Sequence, residues 1–145
     1  MQEKALDIYS DGGSRGNPGE SACAFVAEKE GKVIYSQSEF LGIQTNNVAE
    51  YNSVILALKW LQKFAKKNDF SKIIFHLDSL LIASQINGKY KIKNENLRNL
   101  FFTVKSLETK IPTKIFYVHI YREKNKLADL LVNKCLDGVS RKSRF

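Results

Sequence analysis

The sequence predicts an α/β fold: a five-stranded mixed sheet, an antiparallel meander plus parallel strands, flanked by helices. Two observations carry this. Three β-rich segments come first, the second and third joined by a short polar turn. After them, helical and β-rich segments alternate, and a strand that follows a long helix belongs parallel to its neighbour.

The elements follow in order. Leu6 to Ser10 reads as the first strand, and a Gly-rich loop runs from Gly12 to Gly19. Ser21 to Glu28 and Val33 to Phe40 read as a hairpin turning at Glu30-Gly31. Asn46-Asn47 offers helix caps, and Tyr51, Ile55, Leu58 and Leu61 recur at helical spacing, with Trp60 and Phe64 widening the stripe to about Lys67. Lys72 to Leu77 is a short parallel strand. Ser79 caps a short helix that Gly88 ends, and Asn94 caps another through about Leu107, broken before Pro112. Phe101-Phe102 reads as core on that helix. Lys114 to His119 is a further strand, and a last helix runs from about Asn125 to Leu136, ended by Gly138. The basic tail, about residues 139–145, is expected to fray.

The 145 residues fit one domain, residues 1–145, able to bury a core without staples. Lys and Arg total 23 against 15 Asp and Glu, a net charge of +8. That balance favours an anionic partner and a monomer. Cys23 and Cys135 sit in apolar stretches, read as buried free thiols. The longest apolar run, Ala22 to Ala27, is far too short to span a membrane, and no signal segment is evident at the N-terminus. The expectation is a soluble, cytoplasmic protein without a membrane partner.

Four carboxylates stand out. In an open α/β sheet, ligands bind beyond the carboxyl ends of the parallel strands. Asp11 directly follows the first strand and Asp78 the fourth; Glu50 lies in the first turn of the long helix. Asp129 lies in the second turn of the last helix, on the face away from Leu127 and Leu131. Taken singly, each is a turn, cap or surface acid. Together, in a chain short of acids, they would repel one another unless cations sat among them. Hard divalent ions with oxygen ligands suit the set, Mg²⁺ or Mn²⁺. Two such ions about 3.5–4 Å apart can activate water and stabilise a leaving oxygen in phosphodiester hydrolysis. A basic chain with an acidic metal centre suits a nuclease.

The same residues resemble a family. Ile8-Tyr9-Ser10-Asp11-Gly12-Gly13-Ser14-Arg15-Gly16-Asn17-Pro18-Gly19 resembles the first motif of type 1 ribonuclease H, and Thr45-Asn46-Asn47-Val48-Ala49-Glu50-Tyr51 the second. Leu77-Asp78-Ser79, with Asn87-Gly88-Lys89-Tyr90 downstream, resembles the third, and Asn125-Lys126-Leu127-Ala128-Asp129 the fourth. The resemblance implies the ribonuclease H-like fold and cleavage of the RNA strand of RNA–DNA hybrids, leaving a 3′-hydroxyl and a 5′-phosphate. It implies two Mg²⁺ or Mn²⁺ ions held by Asp11, Glu50, Asp78 and Asp129, with Asp11 bridging both. It implies that Gly12 lets the backbone approach the RNA, that Asn17, Asn46 and Asn47 contact substrate, and that Thr45 is a candidate for a DNA phosphate. Double-stranded RNA is a possible second substrate.

The chain departs from the family at several points. Leu80 stands where many members carry Gln. Gly88 to Lys93 is basic but short and lacks Trp, so the hybrid-gripping handle of some members is missing. No separate hybrid-binding domain is expected before the first motif, and the expectation is a stand-alone enzyme. Two residues compete for the assisting role before the last acid. His119 ends a strand; Arg122 follows it in the His-x-x-Arg pattern of a handle-less subgroup and is favoured. Three other readings compete with this one. Gly12-Gly13-Ser14-Arg15-Gly16 matches an esterase elbow, yet a strand rather than a helix follows. A non-catalytic nucleic-acid-binding relative of the fold would have lost an acid, and none is missing. A detached reverse-transcriptase domain or an integrase-like nuclease would share the metal chemistry. His76 reads as a satisfied strand residue, since nothing near it has metal-ligand spacing.

Overall fold

The computed structural model describes residues 4–143, and the side chains of 4–139. Its chain order is β1 (Ala5–Gly16), β2 (Gly19–Lys29), β3 (Lys32–Gln44), α1 (Asn46–Lys67), β4 (Lys72–Leu77), α2 (Leu80–Ile86), α3 (Glu95–Glu108), β5 (Lys114–His119), a 3₁₀ turn (Arg122–Lys124) and α4 (Lys126–Ser143). The five strands form one mixed sheet in the order β3-β2-β1-β4-β5. The first two pairings are antiparallel and the last two parallel.

β2 is the most protected strand because it lies inside the sheet and is covered on both faces. Ala22 to Ala27 are all buried, which explains an apolar run with no alternation. Its odd-numbered residues Cys23, Phe25 and Ala27 join the main core with α1, α3 and β4. Its even-numbered residues Ala22 and Ala24 face the other way, against Val132 and Leu136 of α4, in a small separate cluster. Most of the apolar weight therefore lies on the α1 face, and α4 rests on a thin layer of small side chains.

The β2–β3 turn has the form expected of a two-residue hairpin, with φ positive at both Glu30 (53°) and Gly31 (77°). β4 and β5 begin and end at the residues the pattern indicates. Ser79 caps α2 and Asn94 caps α3, while Gly88 takes φ +77° after the former. His76 is satisfied as expected, with Nε2 2.8 Å from Asp7 and its ring stacked on Tyr9.

Five local expectations change. The Gly-rich segment after Ser10 is strand, because β1 goes on pairing with β2 as far as Gly16↔Gly19 once it has parted from β4. Thr45, not an Asn, caps α1, accepting from the Val48 amide at 3.2 Å. Gly138 does not end α4: the helix passes through it to Ser143, a glycine in an exposed turn costing only about 1 kcal/mol. Residues 144 and 145 of the expected fraying tail lie outside the described range. Phe102 is exposed, and only Phe101 packs on the core. Of the two thiols, Cys23 is buried and Cys135 half-buried.

Candidate active site

The last parallel pair between β1 and β4 is Ser10↔Leu77. Asp11 and Asp78 therefore lie side by side where the β1–β4 ladder stops, Asp11 still paired with Ala24 of β2 and Asp78 just past the carboxyl end of β4. Glu50 reaches them from the second turn of α1, one turn later than the sequence suggests, because the helix starts behind Thr45. α1 can come this close only because residue 12 is glycine. A Cβ on Gly12 would sit 2.2 Å from the Ala49 carbonyl atoms and 2.6 Å from the Glu50 amide. The packing of α1 on β1 is thus what demands this glycine.

Asp11, Glu50 and Asp78 each offer an oxygen, and these oxygens all lie within 4.8 Å of one another. Asp129 stands outside this tight triad, in the first turn of α4, within hydrogen-bonding reach of Asp11. The apolar side of α4 is Ala128, Val132 and Leu136, whereas Leu127 is half exposed.

Burial dominates the electrostatics. Asp11 and Glu50 are each only 7% exposed. Desolvation, then the charge of Asp78, pushes the Asp11 carboxyl up to about 7. Desolvation and the charges of Asp11 and Asp78 hold Glu50 well above its usual range, against a hydrogen bond from the Gly12 amide. Glu50 Oε2 is buried with no hydrogen-bond partner. Buried carboxyls in this arrangement must hold protons or bind cations. Three or four oxygen donors, one of them orphaned, fit a hard divalent cation.

Asn125 is a site residue that sequence reasoning missed as such. Its side chain is buried, and Nδ2 donates both to the Ser10 carbonyl (2.8 Å) and to Asp78 Oδ2 (3.1 Å). It ties Ser10 of β1 and the turn after β4 to the start of α4. Its only sequence signal is its place just before the Lys126-Leu127-Ala128-Asp129 run, where it reads as a helix start.

A cavity of about 420 Å³ opens over the acids. Its lining includes all four carboxylates, Gly12, Asn46, Asn47 and Arg122, but not His119. His119 ends β5 exposed, its ring edge-on to Tyr121. Asn17 and Thr45 line a neighbouring cavity of about 430 Å³, with Asn47 shared between the two. Asn46 Oδ1 accepts from the Ser14 amide (2.9 Å) and hydroxyl (3.1 Å), and the Asn46 amide donates to Asn17 Oδ1 (3.0 Å). The two asparagines thus pin the β1–β2 hairpin to the start of α1 and keep their own side-chain amide donors.

A family model described as reverse transcriptase-like matches residues 10–135. Among curated relatives, a bifunctional protein of Mycobacterium tuberculosis is 32% identical over 135 residues, covering 92% of this chain and 36% of its own length. The chain therefore spans about a third of the length of the mycobacterial relatives. The ribonuclease HI of Halobacterium salinarum is 33% identical over 135 residues, covering 92% of this chain and 65% of the relative. Two solved structures overlay closely. LC11-RNase H1 in complex with an RNA/DNA hybrid has a TM-score of 0.88 at 38% identity, covering 92% of this chain and 98% of that one. RNase H1 of Halobacterium salinarum has a TM-score of 0.84 at 32% identity, with the same coverage. The strand order, the acids gathered where β1 parts from β4, and solved structures matched along almost their whole length agree: the chain belongs to the ribonuclease H1 family.

Proposed function

We propose that this chain hydrolyses the RNA strand of RNA–DNA hybrids with the help of Mg²⁺ or Mn²⁺, leaving a 3′-hydroxyl and a 5′-phosphate. The carrying observation is the triad of Asp11, Glu50 and Asp78 with mutual oxygen separations under 4.8 Å and an unpartnered Glu50 oxygen. Asp129 would complete the ligand set from α4. When bound there, two hard cations supply an activated water and charge stabilisation of the leaving oxygen.

The chain's own residues do the rest. Asn125 holds the Asp78 carboxylate by Nδ2, and the Gly12 amide holds Glu50. Arg122 is exposed on the 3₁₀ turn at the cavity rim, where its planar guanidinium fork would pair with a phosphate. Asn17, Asn46 and Asn47 present amide donors along the approach, where hydroxyls of the RNA strand would distinguish it from DNA. The hybrid bound in the LC11-RNase H1 structure supports the substrate class.

The test is cleavage of labelled RNA–DNA hybrid, double-stranded RNA and double-stranded DNA, each with Mg²⁺, Mn²⁺ or EDTA. Metal-dependent cleavage of the hybrid's RNA strand is expected. Hybrid that is bound yet left intact with every metal would leave a binding role only.

A further inference from the structure

The floor of the cavity is two parallel rows of side chains. On β1, Asp11, Gly13 and Arg15 alternate onto one face, the face of their partners Ala24, Ala22 and Glu20, over which α4 lies. On α4, Asp129, Asn133 and Asp137 recur every four residues. The two rows keep step. Four strand residues advance about 13 Å, and eight helical residues about 12 Å. At one end Asp129 meets Asp11. At the other, Arg15 Nη2 meets Asp137 Oδ1 at 2.6 Å and the Asn133 carbonyl at 3.4 Å. Gly13 leaves the middle low, with nothing nearer than 4.0 Å to an added Cβ.

We propose that Arg15 binds a backbone phosphate of the cleaved strand beside the scissile one, its guanidinium aimed by Asp137. This rests on the hybrid-cleaving function proposed above. Arg15 and Arg122 are the two cations among the described residues lining a cavity otherwise dominated by carboxylates. About 13 Å from Asp11, Arg15 is too far for the phosphate at the acids and suits a neighbour in the same groove. Asp137 and the Asn133 carbonyl engage one nitrogen of a fork that carries five N–H donors, leaving others for a phosphate. The pair is open to solvent, 41% and 55% exposed, so it adds little to stability and serves to orient.

The experiment compares wild type with Arg15→Gln, Arg15→Lys and Asp137→Asn. It measures steady-state cleavage of an RNA–DNA hybrid, hybrid binding in EDTA over a series of NaCl concentrations, and Tm. For Arg15→Gln we expect KM to rise about tenfold with kcat unchanged, the loss of one charge-assisted contact. Its log–log salt slope should shrink by about 0.7–0.9, one phosphate contact. Arg15→Lys should keep the slope, and so should Asp137→Asn, with a smaller rise in KM. Equal KM losses in Arg15→Gln and Asp137→Asn with the slope unchanged would make the pair a strut for α4 and overturn the proposal. A wild-type protein that neither binds nor cuts the hybrid would instead overturn the function on which it rests.

Discussion

Single atoms decide much of this site. Asp11→Asn keeps the shape of the side chain and removes the charge that faces Glu50, Asp78 and Asp129. It should abolish cleavage with either metal while leaving hybrid affinity in EDTA largely intact, as read by cleavage and binding assays on one preparation. The choice between Arg122 and His119 is also a matter of one side chain. Arg122 lines the cavity of the acids and His119 does not. Arg122→Ala should lower turnover about ten- to a hundredfold, about 1.4–2.7 kcal/mol of barrier. His119→Ala should leave turnover near wild type, since its exposed ring packs edge-on to Tyr121 and lies outside the lining of that cavity. A pH–rate profile checks the same point, because an essential His adds an inflection that the His119→Ala variant would lose. The four acids were legible because two fall where an alternating strand pattern breaks off and two lie at helix positions that need no acid for packing. Asn125 was not, because a buried asparagine that holds a carboxylate looks in sequence like any residue at a helix start.

Elements were legible where one signal acted alone. β4, β5 and the Ser79 and Asn94 caps follow from short-range chemistry, and the structure has them at those residues. The misses came where a tertiary partner outweighed a local signal. Glycines 12, 13 and 16 suggest a loop, yet a facing strand holds them in a ladder, and Gly12 is required by the Ala49 backbone rather than by a turn. Gly138 suggests a helix stop, yet α4 continues past it with φ outside the left-handed region. That residue has open space around it. Gly138→Ala should therefore stabilise the protein by about 0.5–1 kcal/mol, seen as a higher urea midpoint at unchanged m-value.

The whole molecule carries a charge paradox: +8 overall, with four carboxylates gathered at one place. The fold bears that cost for the site, and the cost has a pH signature in metal-free protein. Asp11 has its pKa raised to about 7, and Glu50 is raised as well, chiefly by burial. A raised acid is protonated in the folded state while the unfolded chain has already ionised. The share of stability that Asp11 contributes in EDTA should then fall as pH rises from about 4 toward 7, with Glu50 acting in the same direction. Asp78→Asn removes a like charge from the group and should melt at the same temperature or higher in EDTA, by thermal scans at pH 7. A marked loss would show Asp78 to be needed as a turn residue instead. Saturating Mg²⁺ should raise Tm of the wild type and do so less in the variant.

The uneven division of apolar weight between the two faces of the sheet has its own consequence. α1 is sealed to β1 and β2 by large side chains such as Phe25, Tyr51 and Leu58, while α4 sits on Ala22 and Ala24 through Val132 and Leu136. Opening free energies follow such differences, and weakly packed segments detach as cooperative units before the rest unfolds. Native-state amide hydrogen exchange should therefore show the α4 amides exchanging together, well before those of α1 and β2. Because Asp129 rides on α4, divalent cation should slow exchange in α4 more than anywhere else. In a molecule so arranged, ligand occupancy would be written in the lifetime of one helix.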